Sequence, residues 1–204
     1  MPDAPRRHAL RALTLATLLT ALPALARAAP PEPTLEAAEY EVLSKVINHG
    51  LPADTRAIAI SAQTTGNPDS LMSADSDLEA LAKRLDTTPG LLAGWAGLNR
   101  QRSPLARKLT LRARYELVAD ALRAKIFEGD EPAQGWARFH ARFPDTPGLL
   151  GVSRVAIDEA RLNALVYIEF ACGPECGTAR LVRLARVDGV WEVQGGELLW
   201  VAGS

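Results

Sequence analysis

Cys172 and Cys176 are the residues whose type and spacing best suit chemistry. Three residues separate them, and they follow an apolar stretch that favours a strand. A redox-active dithiol is typically spaced by two residues and lies at a helix N-terminus, which lowers the pKa of its first thiol. The wider interval instead suits a structural disulfide that closes a turn between two strands. We expect that disulfide, with a redox-active pair as the alternative; a metal site is disfavoured because a four-ligand set is missing.

Histidines and serines form the second group of chemical candidates. His140 falls on the aromatic side of a predicted helix, where packing is a commoner role than general-base catalysis. His49 lies at a predicted helix end, where a cation complements the helix dipole. Ser61 and Ser153 lack the Gly-x-Ser-x-Gly context of a nucleophile elbow. A hydrolase would therefore have to assemble its site from distant residues around His140, with Ser61 and loop carboxylates.

Composition narrows the class of protein. The chain has 204 residues, of which 48% are hydrophobic and 23% charged. This length and balance fit one domain with an ordinary core, and they exclude a disordered chain or a polytopic membrane protein. Two cysteines exclude a disulfide-dense scaffold.

Residues 1–28 have the features of a cleaved signal peptide. An apolar run of about 14 residues, shorter than the ~20 that span a bilayer, follows a positively charged start. The run ends in Ala26-Arg27-Ala28, which suits a signal peptidase site. We expect cleavage after Ala28 and export to the periplasm or the medium, by the general secretory route in preference to the twin-arginine route.

Cleavage changes the charge of the chain. Loss of four arginines and one aspartate leaves 19 basic and 23 acidic residues, a net charge of −4. Binding to a phosphate backbone needs concentrated positive charge, so we expect no nucleic-acid partner. We also expect no transmembrane segment in the mature chain, and an envelope protein or a small molecule as its partner.

The N-terminal half of the mature chain predicts mainly helices. After a Pro-rich tether at 29–33, Thr34 can cap a helix over 35–48, and residues 56–63 favour a strand. A capping box, Ser76 to Glu79, begins a helix that buries Leu78, Leu81 and Leu85. Thr88-Pro89 begins another, which buries Leu91, Leu92, Trp95 and Leu98.

The C-terminal half turns from helices to strands. Residues 109–118 alternate between apolar and polar types and give the clearest strand pattern. Helices are predicted at 119–127 and 132–143, and four strands at 152–158, 164–171, 179–187 and 190–201. Asp188-Gly189 is typical of a two-residue hairpin turn. The arginines at 180, 183 and 186 would also suit a helix face, but the turn and the length favour a strand.

Residues 135–201 contain a series of short motifs: Trp136-x-x-Phe139 before Pro144, Gly148-Leu-Leu, Ser153-Arg154-Val155, Ala164-Leu165-Val166-Tyr167, Cys172-Gly-x-x-Cys176-Gly177, Asp188-Gly189-x-Trp191 and Leu199-Trp200-Val201. Together these motifs resemble a family of exported bacterial proteins that has no established function. The chain departs from this pattern at Ala156-Ile157, where the family often has Gly-Phe. The resemblance implies a strand, not a helix, after Cys176. It supplies no activity and no catalytic residue.

The sequence thus predicts an α+β protein with one domain over 34–204. Its N-terminal helices would cover one face of an antiparallel sheet that ends in a four-strand meander. We assign no catalytic residue, no cofactor and no metal. The leading interpretation is a non-catalytic exported binding or envelope-associated module. The alternatives are an exported hydrolase around His140 and a thiol-disulfide redox protein that uses Cys172 and Cys176.

Overall fold

The computed structural model describes residues 34–66 and 78–202. The elements within those ranges are helices α1 Ala37–Gly50, α2 Leu78–Arg84, α3 Pro89–Leu98, α4 Asp120–Ile126 and α5 Pro132–Arg142, and strands β1 Ala57–Ser61, β2 Arg114–Val118, β3 Leu149–Val152, β4 Ala156–Ile157, β5 Asn163–Gly173, β6 Cys176–Val187 and β7 Val190–Val201. The predicted signal peptide, the tether and the Ser76 end of the capping box lie outside the described residues. No helix of the described ranges has the length and apolar character to cross a membrane.

All seven strands form one sheet, in the order β2-β1-β3-β5-β6-β7, with the short β4 paired to β5. The α+β fold in a single domain is confirmed, and so is a C-terminal meander. The meander has three strands, β5 to β7, because residues 152–158 divide between the end of β3 and β4. The sheet is mixed, not wholly antiparallel: β1 runs parallel to both β2 and β3. Parallel strands need a crossover connection, and here helices lie in the connections: α2 and α3 between β1 and β2, and α4 and α5 between β2 and β3.

Helices cover both faces of the sheet, where the sequence analysis expected one. Successive strand residues point to opposite faces, so each strand contributes to two cores. Ile58 and Ile60 of β1 pack with α1, whereas Ala59 between them packs with α4 and α5. Leu165 of β5 packs with α2 and α3, while its neighbour Val166 packs on the α1 side. Among the described helices, α1 therefore covers one face of the sheet and α2 to α5 cover the opposite face.

The helix starts follow local hydrogen bonding. At α3 the prediction is confirmed, since Thr88 Oγ1 accepts from the Leu91 N–H at 3.1 Å and Pro89 occupies the first turn. At α1 the N-cap is Glu36 rather than Thr34, and its N–H donates to Glu39 Oε2 at 2.9 Å. Leu98 is exposed, contrary to expectation.

The predicted strand over 109–118 is paired only from Arg114 onward. Its alternation is still visible in burial, since Leu109 and Ala113 lie in the core. Polar side chains of α1 form hydrogen bonds with the backbone before Arg114 instead. Ser44 Oγ accepts from the Thr110 N–H, and the Asn48 amide both donates to and accepts from the backbone of the same segment. A helix therefore replaces the partner strand that the pattern implied.

Candidate functional site

An open groove of about 620 Å³ lies on the sheet face opposite α1. The strands β1, β3 and β5 form its floor, and α4 and α5 form one wall. The side chains that matter for its chemistry are Ser61, Asp120, Arg123, Phe127, Trp136, Glu169 and Trp200.

Glu169 places a carboxylate on the floor of this groove, where it is half-buried. Thr65 Oγ1 donates to its Oε1 at 3.1 Å, and the Tyr167 hydroxyl donates to its Oε2 at 2.7 Å. Trp200 Nε1 in turn donates to the Tyr167 oxygen at 3.3 Å. Within the described ranges no lysine, arginine or histidine forms an ion pair with Glu169. The carboxylate is thus fixed in place by neutral donors alone.

Tyr167 is held as a hydrogen-bond donor. Burial raises the pKa of its phenol, and the hydrogen bond to Glu169 and the negative charge of that residue raise it further. The hydroxyl therefore stays protonated across the physiological range and keeps Glu169 in one position.

Two small residues beside Glu169 make room for this arrangement. The strand register places Gly151, Glu169, Ala179 and Trp200 in one row across four strands. A Cβ atom on Gly151 would lie 2.6 Å from Glu169 Oε1 and 2.7 Å from Thr65 Cγ2, so a larger residue there would displace these groups from their present positions. On the other side Ala179 presents only a methyl group, between Glu169 and Trp200 in this row.

Charged residues of α4 line the wall. Arg102 donates to both carboxylate oxygens of Asp120, at 2.7 and 3.0 Å, and lowers the pKa of that carboxyl below its usual range. The nearest carboxylate oxygen to Arg123 is also on Asp120, at 3.8 Å. Because Arg102 already engages Asp120 with good geometry, the Arg123 guanidinium, whose side chain is 41% exposed, is only weakly held.

Aromatic rings complete the rim. Trp136 of α5 packs edge-on against Phe127, with 5.0 Å between ring centroids, and against Phe139. Trp200 on the last strand is 40% exposed although its indole N–H is engaged. Large aromatic surfaces with one polar end commonly serve recognition.

The residues singled out from the sequence do not converge on one centre. Ser61 lines the groove, but its Oγ donates to the Gln63 carbonyl at 2.9 Å. His140 is exposed rather than partly buried, and its Nε2 lies 3.1 Å from the Cys172 carbonyl oxygen, with its ring beside Trp136. Ser153 is fully buried; its Oγ accepts from Trp95 Nε1 and from the Tyr167 N–H, both at 2.9 Å.

Cys172 and Cys176 are joined by a disulfide at the β5–β6 hairpin, with their Cα atoms 5.1 Å apart. The strand expected after Cys176 is present, and no helix begins beside either sulfur. The described residues contain no group of three or more His, Cys, Asp or Glu side chains arranged for a metal ion.

Sequence reasoning missed Arg123, Glu169 and Trp200, which line the groove, and Thr65 and Tyr167, which hold Glu169. One local signal was available: Tyr167 and Glu169 are two residues apart in a predicted strand, so they lie on the same face of it. Glu169 is a charged residue within an otherwise apolar strand, a position that calls for a partner. Comparisons of the chain with protein-family models, curated proteins and solved structures found no match.

Proposed function

We propose that the protein is an exported, non-catalytic binding module and that its ligand occupies the groove over Glu169. The observation that carries this proposal is the carboxylate itself. The hydroxyls of Thr65 and Tyr167 hold it in one position at the bottom of an open groove, and no cation of the described residues neutralises it. A charge that is held in place without a partner is suited to receive one from a ligand.

The hydrogen bonding of the groove supports binding in preference to hydrolysis. The Ser61 hydroxyl donates a hydrogen bond to a main-chain carbonyl, and His140 Nε2 is hydrogen-bonded to the main-chain carbonyl of Cys172. A nucleophile and its general base would instead bond to each other. The hydrolase that sequence reasoning kept open would therefore require both side chains to leave their present partners.

The N-terminal sequence and the cysteine pair support export. Residues 1–28 have the charge and apolar pattern of a signal peptide. A disulfide persists in an oxidising compartment such as the periplasm. N-terminal sequencing of the exported protein should find Ala29 as its first residue; a chain that retains Met1 would contradict this part of the proposal.

A ligand screen tests the binding function. The mature protein is examined by thermal shift against amino acids, short peptides, sugars, nucleosides and organic acids. We expect at least one class to raise the melting temperature, because a ligand that binds only the folded state stabilises it. Trp200→Ala should abolish that rise. Leu198→Ala, a change of another exposed apolar residue on β7, should preserve it.

Two results would overturn the proposal. One is the absence of any stabilising compound that depends on Trp200. The other is turnover of a generic esterase, glycosidase or peptidase substrate that His140→Ala or Ser61→Ala abolishes.

A further inference from the structure

We propose that the ligand of the groove is a zwitterion, with an ammonium group bound by Glu169 and a carboxylate or similar anion bound by Arg123. This inference rests on the proposed binding function and specifies the chemical class of the ligand. Two side chains of opposite charge carry it, because neither has a full partner for its charge among the described residues.

Glu169 has capacity for an ammonium group. An ionised carboxylate has about four acceptor positions, and Thr65 and Tyr167 use one on each oxygen. Both donors are neutral hydroxyls, so they orient the carboxylate without neutralising it. An ammonium group would supply the charge and the remaining donors in one contact.

Arg123 has capacity for an anion. Its guanidinium carries five N–H donors, and within the described ranges its one ion contact is the 3.8 Å approach to Asp120. Asp120 is already held by two short hydrogen bonds from Arg102. None of the described residues fully engages the charge of Arg123, and a planar carboxylate of a ligand matches its fork.

The two charges share one groove, and this decides between ligand classes. A simple amine would be attracted by Glu169 but repelled by Arg123. A simple acid would be attracted by Arg123 but repelled by Glu169. A molecule with both groups gains from each. Apolar side chains of Phe127, Trp136 and Leu149 line the same groove and would contact the hydrocarbon part of the ligand.

A chain-length series of ω-amino acids can test the inference and also measure the distance between the charges. Binding of glycine, β-alanine, γ-aminobutyrate, δ-aminovalerate and ε-aminocaproate to the mature protein is measured by calorimetry. The amine and the acid of each chain length are measured as single-charge controls. We expect affinity to peak at one length, and there to exceed that of either control by about tenfold or more, equivalent to about 1.4 kcal/mol.

Charge-removing variants assign each end of the ligand. Glu169→Gln should weaken binding of the best zwitterion by about tenfold but leave binding of the matching acid unreduced. Arg123→Gln should weaken binding of the same zwitterion by about tenfold but leave binding of the matching amine unreduced. Glu175→Gln and Arg180→Gln remove exposed charges outside the groove and should change neither.

Equal binding of the zwitterion and one of its single-charge controls to the wild-type protein would overturn the inference, whether or not the variants fold. A zwitterion affinity that does not change in a folded Arg123→Gln variant would also overturn it. If the series fails while another compound binds in a Trp200-dependent way, the zwitterion assignment is wrong and the binding function stands. If no compound of the wider screen binds, both are wrong.

Discussion

Glu39 and Glu169 are two carboxylates of one domain that sit in opposite kinds of environment. Glu39 is 4% exposed and accepts four hydrogen bonds, two from the Arg154 guanidinium and one each from the N–H groups of Glu36 and Val155. From the described residues Glu169 accepts two, both from uncharged hydroxyls, and it lies in a groove open to solvent.

The difference separates a carboxylate that serves the fold from one that is available to a ligand. Glu39 ties α1 to the segment between β3 and β4, and its charge is balanced inside the chain. Its hydrogen bond also raises the pKa of Arg154, so the guanidinium keeps its charge. Glu169 has its position fixed, and no cation among the described residues balances its charge. The fold should therefore depend on the first carboxylate and tolerate loss of the second.

Glu39→Gln should have the largest effect on stability. Removing one partner of a buried ion pair leaves the other charge uncompensated, and this costs about 3–5 kcal/mol. Equilibrium unfolding in urea measures the loss. Glu41→Gln, on an exposed position of the same helix, should change the free energy of unfolding by less than about 0.5 kcal/mol. Equal effects of the two changes would show that the Glu39 pair does not stabilise the fold.

Ser153→Ala should have the next largest effect. It leaves two buried donors, Trp95 Nε1 and the Tyr167 N–H, without their acceptor, at a cost of about 3 kcal/mol for the pair. Ser103 supplies a matched control, because it is also fully buried but its hydroxyl has no partner within the described residues. Ser103→Ala should be nearly neutral in the same unfolding measurement. A comparable loss in both variants would contradict this explanation.

Removal of the disulfide should cost less. Closing a five-residue loop predicts a stabilisation of about 2 kcal/mol. The backbone hydrogen bonds between β5 and β6 would remain without the disulfide. Cys172→Ala/Cys176→Ala should therefore stay folded with a modestly lower melting temperature, as measured by circular dichroism. After reduction of the wild-type protein, the rate of thiol alkylation should rise with pH around a midpoint of ~8.5, the pKa of an ordinary cysteine. A midpoint well below that value would instead support the redox alternative.

Asp120→Asn should have a still smaller, pH-dependent effect. Because Arg102 lowers the pKa of Asp120 in the folded protein, its ionised form stabilises the fold above the unfolded pKa of about 3.9. That contribution is lost as pH falls through the folded-state pKa. The pair is solvent-exposed, so the variant should lose less than about 1 kcal/mol near pH 7, and the difference from wild type should shrink as pH falls through the folded-state pKa of Asp120. A difference that grows on acidification would contradict this assignment.

The sequence predicted elements better than it predicted their pairing. Helices α3, α4 and α5 and the last three strands could be located because caps, periodicity and the Asp188-Gly189 turn are local signals. The parallel pairing of β1 with β2 and β3 was missed because it depends on which strands meet after helical crossovers. The overlong strand at 109–113 was an error of the same origin, since Ser44 and Asn48 supply its hydrogen bonds from more than 60 residues away.

The candidate site was harder to predict for the same reason. Thr65 lies 104 residues from Glu169 in the chain, and only the sheet register brings Gly151, Ala179 and Trp200 into the row that surrounds it. Sequence reasoning gave weight to His140 and Ser61 because their side chains are reactive types. The structure shows that hydrogen bonds to main-chain carbonyls already occupy both.

The most direct test of the difference between the two carboxylates is the free energy of unfolding of Glu169→Gln, measured without ligand and with the best zwitterion at about 100 times its dissociation constant. Without ligand the variant should match the wild type within about 0.5 kcal/mol, whereas Glu39→Gln should not. With ligand the wild type should gain about 2.7 kcal/mol and the variant much less. A ligand-free Glu169→Gln protein destabilised as strongly as Glu39→Gln would show that Glu169 belongs to the fold and would contradict its assignment to a ligand.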